Sequence, residues 1–339
     1  MARRATLQMR ARLLHRAASL HRSFATLQHS HRSSSTLQQS FAAQTARCEG
    51  HVRAALSTGD RGRGLFASEA IATGDVVIAV PGDAWRPLSA DAARDKAPAS
   101  VVDALDAVDG RVGAGGQLAR AMLCTLNVLA DADSAYVSSL PPAPSVPVLW
   151  DERRLAGLEA SPLRAKAGAT RRLWTACHTS LQLKLELEPF LGFVALVRSR
   201  AYAKRPVFTM VPVIEMANHA AQPNCELRFD EAGGQFSLVA VEPVAEHAEL
   251  TVAYGPLSNA DLLDAYGFTT PGNPRARPAS LLFTCVCTPG DGVGSRLITH
   301  LIPAQTTASP SPWQIQTAIY SSRILRWHRR RSNTIGGEI

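Results

Sequence analysis

Four short runs of this chain hold residue types that could bind or transform a ligand. They are Arg61-Gly62-Arg63-Gly64-Leu65, Ser199-Arg200-Ala201-Tyr202, the stretch Glu215–Asn224 with Asn218 and His219, and Ala253–Phe268 with Tyr254 and Tyr266. A glycine-flanked backbone comes close to a ligand and offers its own N–H and C=O groups, which suits a purine edge or an amino-acid zwitterion. An arginine fork such as Arg200 matches a carboxylate through two parallel bonds. The amide of Asn218 donates and accepts at once, and the two tyrosines each bring a hydroxyl. Every one of these residues also has an ordinary reading. Gly-x-Gly is a common turn between strands, Arg200 suits a helix end, and His219 or Tyr266 suits a core in which it finds a backbone partner.

The elements that must position them can be read from punctuation and periodicity. Leu65–Ala67 reads as a short strand, Thr73-Gly74-Asp75 as a turn, and Val76–Val80 as a buried strand ended by Pro81. Residues 88–203 turn helical: Leu118, Met122, Leu126 and Leu129 share one stripe, Trp174–Leu187 and Phe190–Arg200 suit helices, and Pro141–Pro147 forms a rigid break. Strand character then returns in Val211–Met216, in a hairpin over Leu227–Ala240 around Gly233-Gly234, and in Glu249–Tyr254, before Ser258 caps a helix running to Tyr266. Strands that enclose a helical block predict an α+β domain carrying a large helical insertion.

Charge and composition remove whole classes of function. The net charge of +8 suggests nucleic acid until it is located along the chain. Residues 1–48 hold eight of the 36 basic residues and no acid, which leaves 28 basic against 28 acidic groups elsewhere. The body is neutral, so no nucleic-acid partner is expected. No apolar run is long enough for a membrane span, and none is expected. Six cysteines spread through a core-forming chain are expected to be free thiols of an intracellular compartment.

The first 48 residues have the composition of an organellar transit peptide, rich in Arg, Ser, Leu and Gln. Leu13, Ala17, Leu20 and Phe24 would line one face of a helix, and Thr-Leu-Gln recurs at Thr6, Thr26 and Thr36, which argues against a packed domain there. A disordered basic tail or a misplaced start is the alternative. The Arg/Leu pattern with Arg22-Ser23-Phe24 favours the mitochondrion over the chloroplast.

In order, RGRGLFA, SRAY, EMANHAAQPN and AYGPLSNADLLDAYGF resemble the SET-domain protein methyltransferases. The likeness is to the branch with a long helical insertion, typified by the Rubisco large-subunit lysine methyltransferases. Tyr136 with Leu140-Pro141, and Trp150, also resemble that branch, and the similarity covers about residues 50–270. The resemblance implies a β-rich SET domain with a pseudoknot over residues 49–274, interrupted by the insertion at 88–203. It implies S-adenosyl-L-methionine as cofactor, held by Arg61, Gly62, Arg63, Arg200, Asn218 and His219, with Arg200 on the methionine carboxylate. Tyr266 maps to the catalytic tyrosine, and Tyr254 is the second candidate.

The activity implied is methylation of a protein lysine on a non-histone target by a monomeric enzyme. A histidine methyltransferase of the same fold and an inactive SET-like binding module are the alternatives. A lysine amine has a pKa near 10.4, so it must be made neutral by burial and by repulsion from a positive sulfonium, after which no general base is required. Three features depart from the family pattern. Glu215 stands where aspartate is usual. Cys225 and Cys285-Val286-Cys287 are similar to a zinc-binding ending but supply too few thiolates, so no metal is expected. Residues 275–339 form an irregular tail where the relatives continue into a helical substrate-binding domain, as a truncated or frameshifted sequence would.

Overall fold

In the computed structural model the described residues are 34–275, apart from 114, 131–133, 160, 184 and 205–206. The transit-peptide-like face at Leu13–Phe24 and the tail beyond Arg275 with its two cysteines lie outside them.

The chain begins with helix α1 (Ser34–Thr45), followed by strands β1 (Ala54–Gly59), β2 (Gly62–Ala67) and β3 (Val76–Val80). A helical block then runs through α2 (Gly82–Trp85), α3 (Ala90–Lys96), α4 (Ala99–Val112), α5 (Gln117–Ala130), α6 (Ala135–Ser139), α7 (Glu152–Ala156), α8 (Pro162–Leu181) and α9 (Leu187–Arg200). Strands return as β4 (Asn218–His219), β5 (Cys225–Asp230), β6 (Gln235–Ala240) and β7 (Glu249–Val252), and helix α10 (Asn259–Tyr266) closes the domain. No described helix is long and apolar enough to cross a membrane.

Two small sheets share one core. The first has the order β1-β2-β7-β4 and the second β3-β6-β5. Every pairing is antiparallel except that of β4 with β7, where Asn218 sits opposite Thr251 and His219 opposite Val252. Leu65 and Leu250 of one sheet and Val77, Ile78, Phe236 and Leu238 of the other are fully buried in a common cluster. The expected hairpin forms with Asp230 paired to Gln235 around the glycine turn. The predicted stripe of α5 is buried along its length, so this helix is the axis of the insertion.

Three expectations are corrected. Val211–Met216 is not a strand: Val213 takes φ 66° and Ile214–Met216 winds into a 3-10 turn. Pro212 has no N–H for a ladder, and the run is apolar because it is buried. The helix expected at Trp174–Leu187 begins earlier, at Pro162 behind the capping hydroxyl of Ser161, and stops at Gln182, whose φ of 49° breaks it. Finally, α1 falls inside the segment read as a leader, yet Phe41 and Gln44 are buried on the domain, so packed structure begins upstream of residue 49.

Candidate active site

The β1–β2 hairpin builds the first half of the site. Its register sets Gly59 opposite Gly62 and Thr58 opposite Arg63, and Gly62 takes φ +85° at the turn. Gly64 is held by contact: a Cβ there would lie 2.5 Å from Asn218 Nδ2 and 2.9 Å from Glu249 Oε1. The Asn218 amide uses that space, donating to Arg63 O at 3.2 Å and to Glu249 Oε1 at 2.8 Å. The other oxygen of Glu249 accepts from Arg61 Nη1 at 2.7 Å. Asn224 completes the brace, donating to Glu249 O and accepting from Thr251 N, both at 2.8 Å. Arg61 and Asn218 thus meet around Glu249, with the Arg63 backbone joined through Asn218, and the side-chain carbonyl oxygen of Asn218 makes no hydrogen bond among the described residues. Glu249 was missed by sequence reasoning; only its position at the start of a strand marked it.

Arg200 closes α9 and lies beside the turn at 214–216. Its Nη1 donates to Glu215 Oε2 at 2.7 Å and to Glu215 O at 2.9 Å. The residue expected to anchor a ligand carboxylate therefore already holds a carboxylate of its own chain, while its Nε and Nη2 make no hydrogen bond among the described residues. The extra methylene of Glu215 over aspartate gives its carboxylate that reach. Its other oxygen, Oε1, is buried without a partner among the described residues, as is the hydroxyl of Tyr136. Burial, reinforced by the charge of Glu215, pushes the Tyr136 phenol well above its usual pKa.

The second half of the site is aromatic. Tyr254 and Tyr266 have ring centroids 4.5 Å apart, His219 lies 5.3 Å from Tyr254, and Phe268 lies 6.1 Å from Tyr266 and 6.0 Å from His219. The Tyr254 hydroxyl donates to Ala217 O at 2.9 Å, and its backbone N–H donates to His219 Nδ1 at 3.2 Å, which puts the imidazole proton on Nε2. The Tyr266 hydroxyl makes no hydrogen bond among the described residues. Burial pushes the Tyr254 phenol up to about 12, moderated by the nearby Arg200, and raises Tyr266 as well. Burial also lowers the pKa of His219. At neutral pH these rings are uncharged, and the hydroxyls act as hydrogen-bonding groups and not as bases.

Helix α10 carries Tyr266 and is fixed at both ends. Ser258 and Asp261 form a reciprocal capping box at its start. Near its end, Asp264 is buried and binds Arg198 Nη2 at 2.8 Å and Lys166 Nζ at 3.0 Å. This clamp joins α8, α9 and α10. Sequence reasoning missed it, because nothing local connects Lys166 to Asp264.

Cys48, Cys124, Cys177 and Cys225 are free thiols, as expected. Burial pushes Cys124 and Cys177 up to about 12, so both stay protonated and inert. Among the described residues no group of three or more His, Cys, Asp or Glu side chains is arranged to hold a metal ion.

A sheet of order β1-β2-β7-β4 closed by a parallel β4–β7 pair, a glycine hairpin braced by Asn218 and a tyrosine pair beside His219 fit a SET domain. Residues 62–255, more than half of the chain, match the SET domain family, and the chain belongs to it. The match ends just beyond Tyr254, so Tyr266 and Phe268 follow it. SET domain-containing protein 8 of Schizosaccharomyces pombe (strain 972 / ATCC 24843) is 27% identical over 145 residues, covering 39% of this chain and 33% of that protein. Among solved structures, the SET domain of LSMT bound to lysine and AdoHcy superposes with a TM-score of 0.57 at 20% identity, over 72% of this chain and 59% of that one. Rubisco LSMT bound to AdoMet gives 0.56 at 22% identity, over 70% and 57%. These likenesses establish the fold. The chain spans about a third of the S. pombe relative and under three-fifths of the LSMT chains.

Proposed function

We propose that this protein is an S-adenosyl-L-methionine-dependent protein-lysine N-methyltransferase acting on a non-histone protein. One observation carries the reading: the parallel pairing of Asn218-His219 with Thr251-Val252 sets a backbone-lined cradle beside a pair of neutral tyrosines. A cofactor and an amine can meet there across one strand pair. The solved LSMT structures hold AdoMet or AdoHcy and, in one case, lysine, which supports the same reading.

The residues present fit this cofactor. The exposed backbone of the Gly62 turn, the open side-chain carbonyl of Asn218 and the remaining donors of Arg200 suit a ligand with an adenosyl group at one end and an amino-acid carboxylate at the other. When bound, S-adenosyl-L-methionine supplies a methyl group on a positive sulfonium, and S-adenosylhomocysteine is the product.

The chain's own residues supply alignment and dryness. Tyr266 offers a hydroxyl that no described residue claims, so it can accept from or donate to an incoming amine. Tyr254 is fixed by Ala217 O and walls the opposite side of the ring pair. His219, Phe268 and the two phenol rings exclude water, which disfavours the ammonium form of lysine by desolvation. No base is needed once the amine is neutral, and none of these aromatic groups carries charge at pH 7.

The arginine-rich, acid-free start of the chain supports an organellar destination, the mitochondrion before the plastid. The test is calorimetry of the full chain with S-adenosylhomocysteine, followed by incubation of organelle extract with labelled cofactor and mass spectrometry. Saturable binding and label on lysine are expected. A well-folded sample that binds nothing overturns the catalytic reading, and label confined to histidine overturns the lysine assignment.

A further inference from the structure

Helix α1 is more than a cover for the core, because hydrogen bonds connect it by two routes to the hairpin that forms the cradle. The first is direct: Gln38 Nε2 donates to Leu56 O at 3.0 Å, and Leu56 stands opposite Leu65 in the β1–β2 register. The second passes through Ser139. Gln44 Nε2 donates to Ser139 Oγ at 2.8 Å, and Ser139 O accepts from Arg63 Nη2 at 2.8 Å. From Arg63 the path continues through its backbone oxygen to the Asn218 amide and on to Glu249.

The middle link is well held. Ser139 is 1% exposed and Gln44 is 5% exposed, so neither bond competes with bulk water. Ser139 Oγ also donates to Tyr136 O at 2.6 Å, which fixes the hydroxyl, and Gln44 Nε2 makes a second contact with Ser40 O in its own helix. The five-residue α6 cannot set its own direction, and the carbonyls at its end lack intrahelical partners. Arg63 takes one of those carbonyls, and Gln44 holds the residue that carries it.

We infer that Gln44 is a positioning residue for the cofactor cradle, acting through Ser139 on Arg63, so that α1 sets cofactor affinity from outside the site. The inference rests on the cofactor assignment made above. Gln44 touches neither ligand nor reacting atoms; it fixes the rotamer of Arg63 and with it the path of residues 62–64 against Asn218. Nothing in the amino-acid order announces this, since Gln44 lies in a low-complexity segment.

The test uses the full chain and S-adenosylhomocysteine. Gln44→Met keeps the side-chain volume and removes the donor. It is expected to raise the dissociation constant about 3- to 10-fold, the value of one buried hydrogen bond, while the ligand-free melting temperature moves by only a few degrees. Arg63→Met should weaken binding too, and combining the two should add little to Arg63→Met alone, because Gln44 reaches the cradle through the Arg63 side chain. Ser139→Ala, which removes the hydroxyl but keeps the carbonyl, gives a second arm should Gln44→Met fold poorly, and a similar loss of affinity is expected. Wild-type affinity in either variant, or fully additive effects in the double variant, overturns the relay. Failure of the unaltered chain to bind is a separate result: it removes the cofactor reading itself.

Discussion

Tyr254 and Tyr266 stack at 4.5 Å with their planes 34° apart, yet only Tyr254 spends its hydroxyl on the protein, through Ala217 O. The two phenols are therefore not equivalent, and substitution separates them. Tyr266→Phe deletes a hydroxyl with no partner among the described residues, so stability should hardly move. Turnover should fall about a hundredfold, the cost of losing alignment by roughly 1 Å. Tyr254→Phe should cost about 0.5–1.5 kcal/mol of stability as well, because it strips Ala217 O of its donor. Paired thermal melts and single-turnover rates check this. Wild-type turnover in Tyr266→Phe with a lowered melting temperature would transfer the catalytic role to Tyr254.

Gly64→Ala tests the cradle by occupancy. The added methyl would sit 2.5 Å from Asn218 Nδ2, so the amide must swing away from Arg63 O and Glu249. Overpacking of this kind costs about 1–3 kcal/mol. Loss of both Asn218 bonds should reduce S-adenosylhomocysteine affinity by roughly tenfold or more, since each is worth about 1 kcal/mol. Calorimetry on a folded sample reads the effect, and unchanged affinity would place the ligand elsewhere.

Asp264 gives the fold a pH dependence of defined sign. Burial alone would raise its pKa, but the charges and hydrogen bonds of Arg198 and Lys166 outweigh burial and hold it below the usual carboxylate value. A depressed folded-state pKa stabilises at pH above the unfolded value, near 3.9, and the contribution is lost as pH falls through the folded one. Asp264→Asn removes the buried carboxylate charge that Arg198 and Lys166 share and should cost about 3 kcal/mol at pH 7. Melting curves of wild type and variant should converge as pH falls below about 4. A gap that stays constant down to pH 2 would show that shape and not charge is what Asp264 provides.

Local chemistry made part of this molecule legible in advance. Gly233-Gly234 marked the β5–β6 hairpin, Ser258 marked the start of α10, and the spacing of Leu118, Met122, Leu126 and Leu129 marked the axis of the insertion. Each signal lies within a few residues of the feature it specifies. Asn218, His219, Tyr254 and Tyr266 were singled out through the order of their motifs; the structure brings His219, Tyr254 and Tyr266 together, while the Asn218 side chain joins Arg63 and Glu249. What escaped depends on partners distant in sequence. Val211–Met216 is apolar because it is buried from all sides, and burial without periodicity does not distinguish a strand from a turn. Glu249, Asp264 and Lys166 look like solvent-exposed charges until the fold supplies their partners. Arg200 had the right chemistry for a carboxylate, but local reading gave no hint that Glu215 would be the carboxylate it meets.

The helix at Ser34–Thr45 sets the last expectation, on where the working domain begins. Phe41 is 7% exposed within the cluster that holds Leu56, Leu65 and Ile78, and Ser40 and Gln44 are buried beside it. Removing a buried phenylalanine ring costs about 3–5 kcal/mol, a large share of the roughly 5–15 kcal/mol that holds a domain folded. A chain starting at residue 34 keeps this packing, whereas one starting at residue 49 should melt about 10 °C below it or fail to fold. Thermal melts of the two truncations decide between these outcomes. Equal melting temperatures would show that α1 is an appendage on a core that begins at β1.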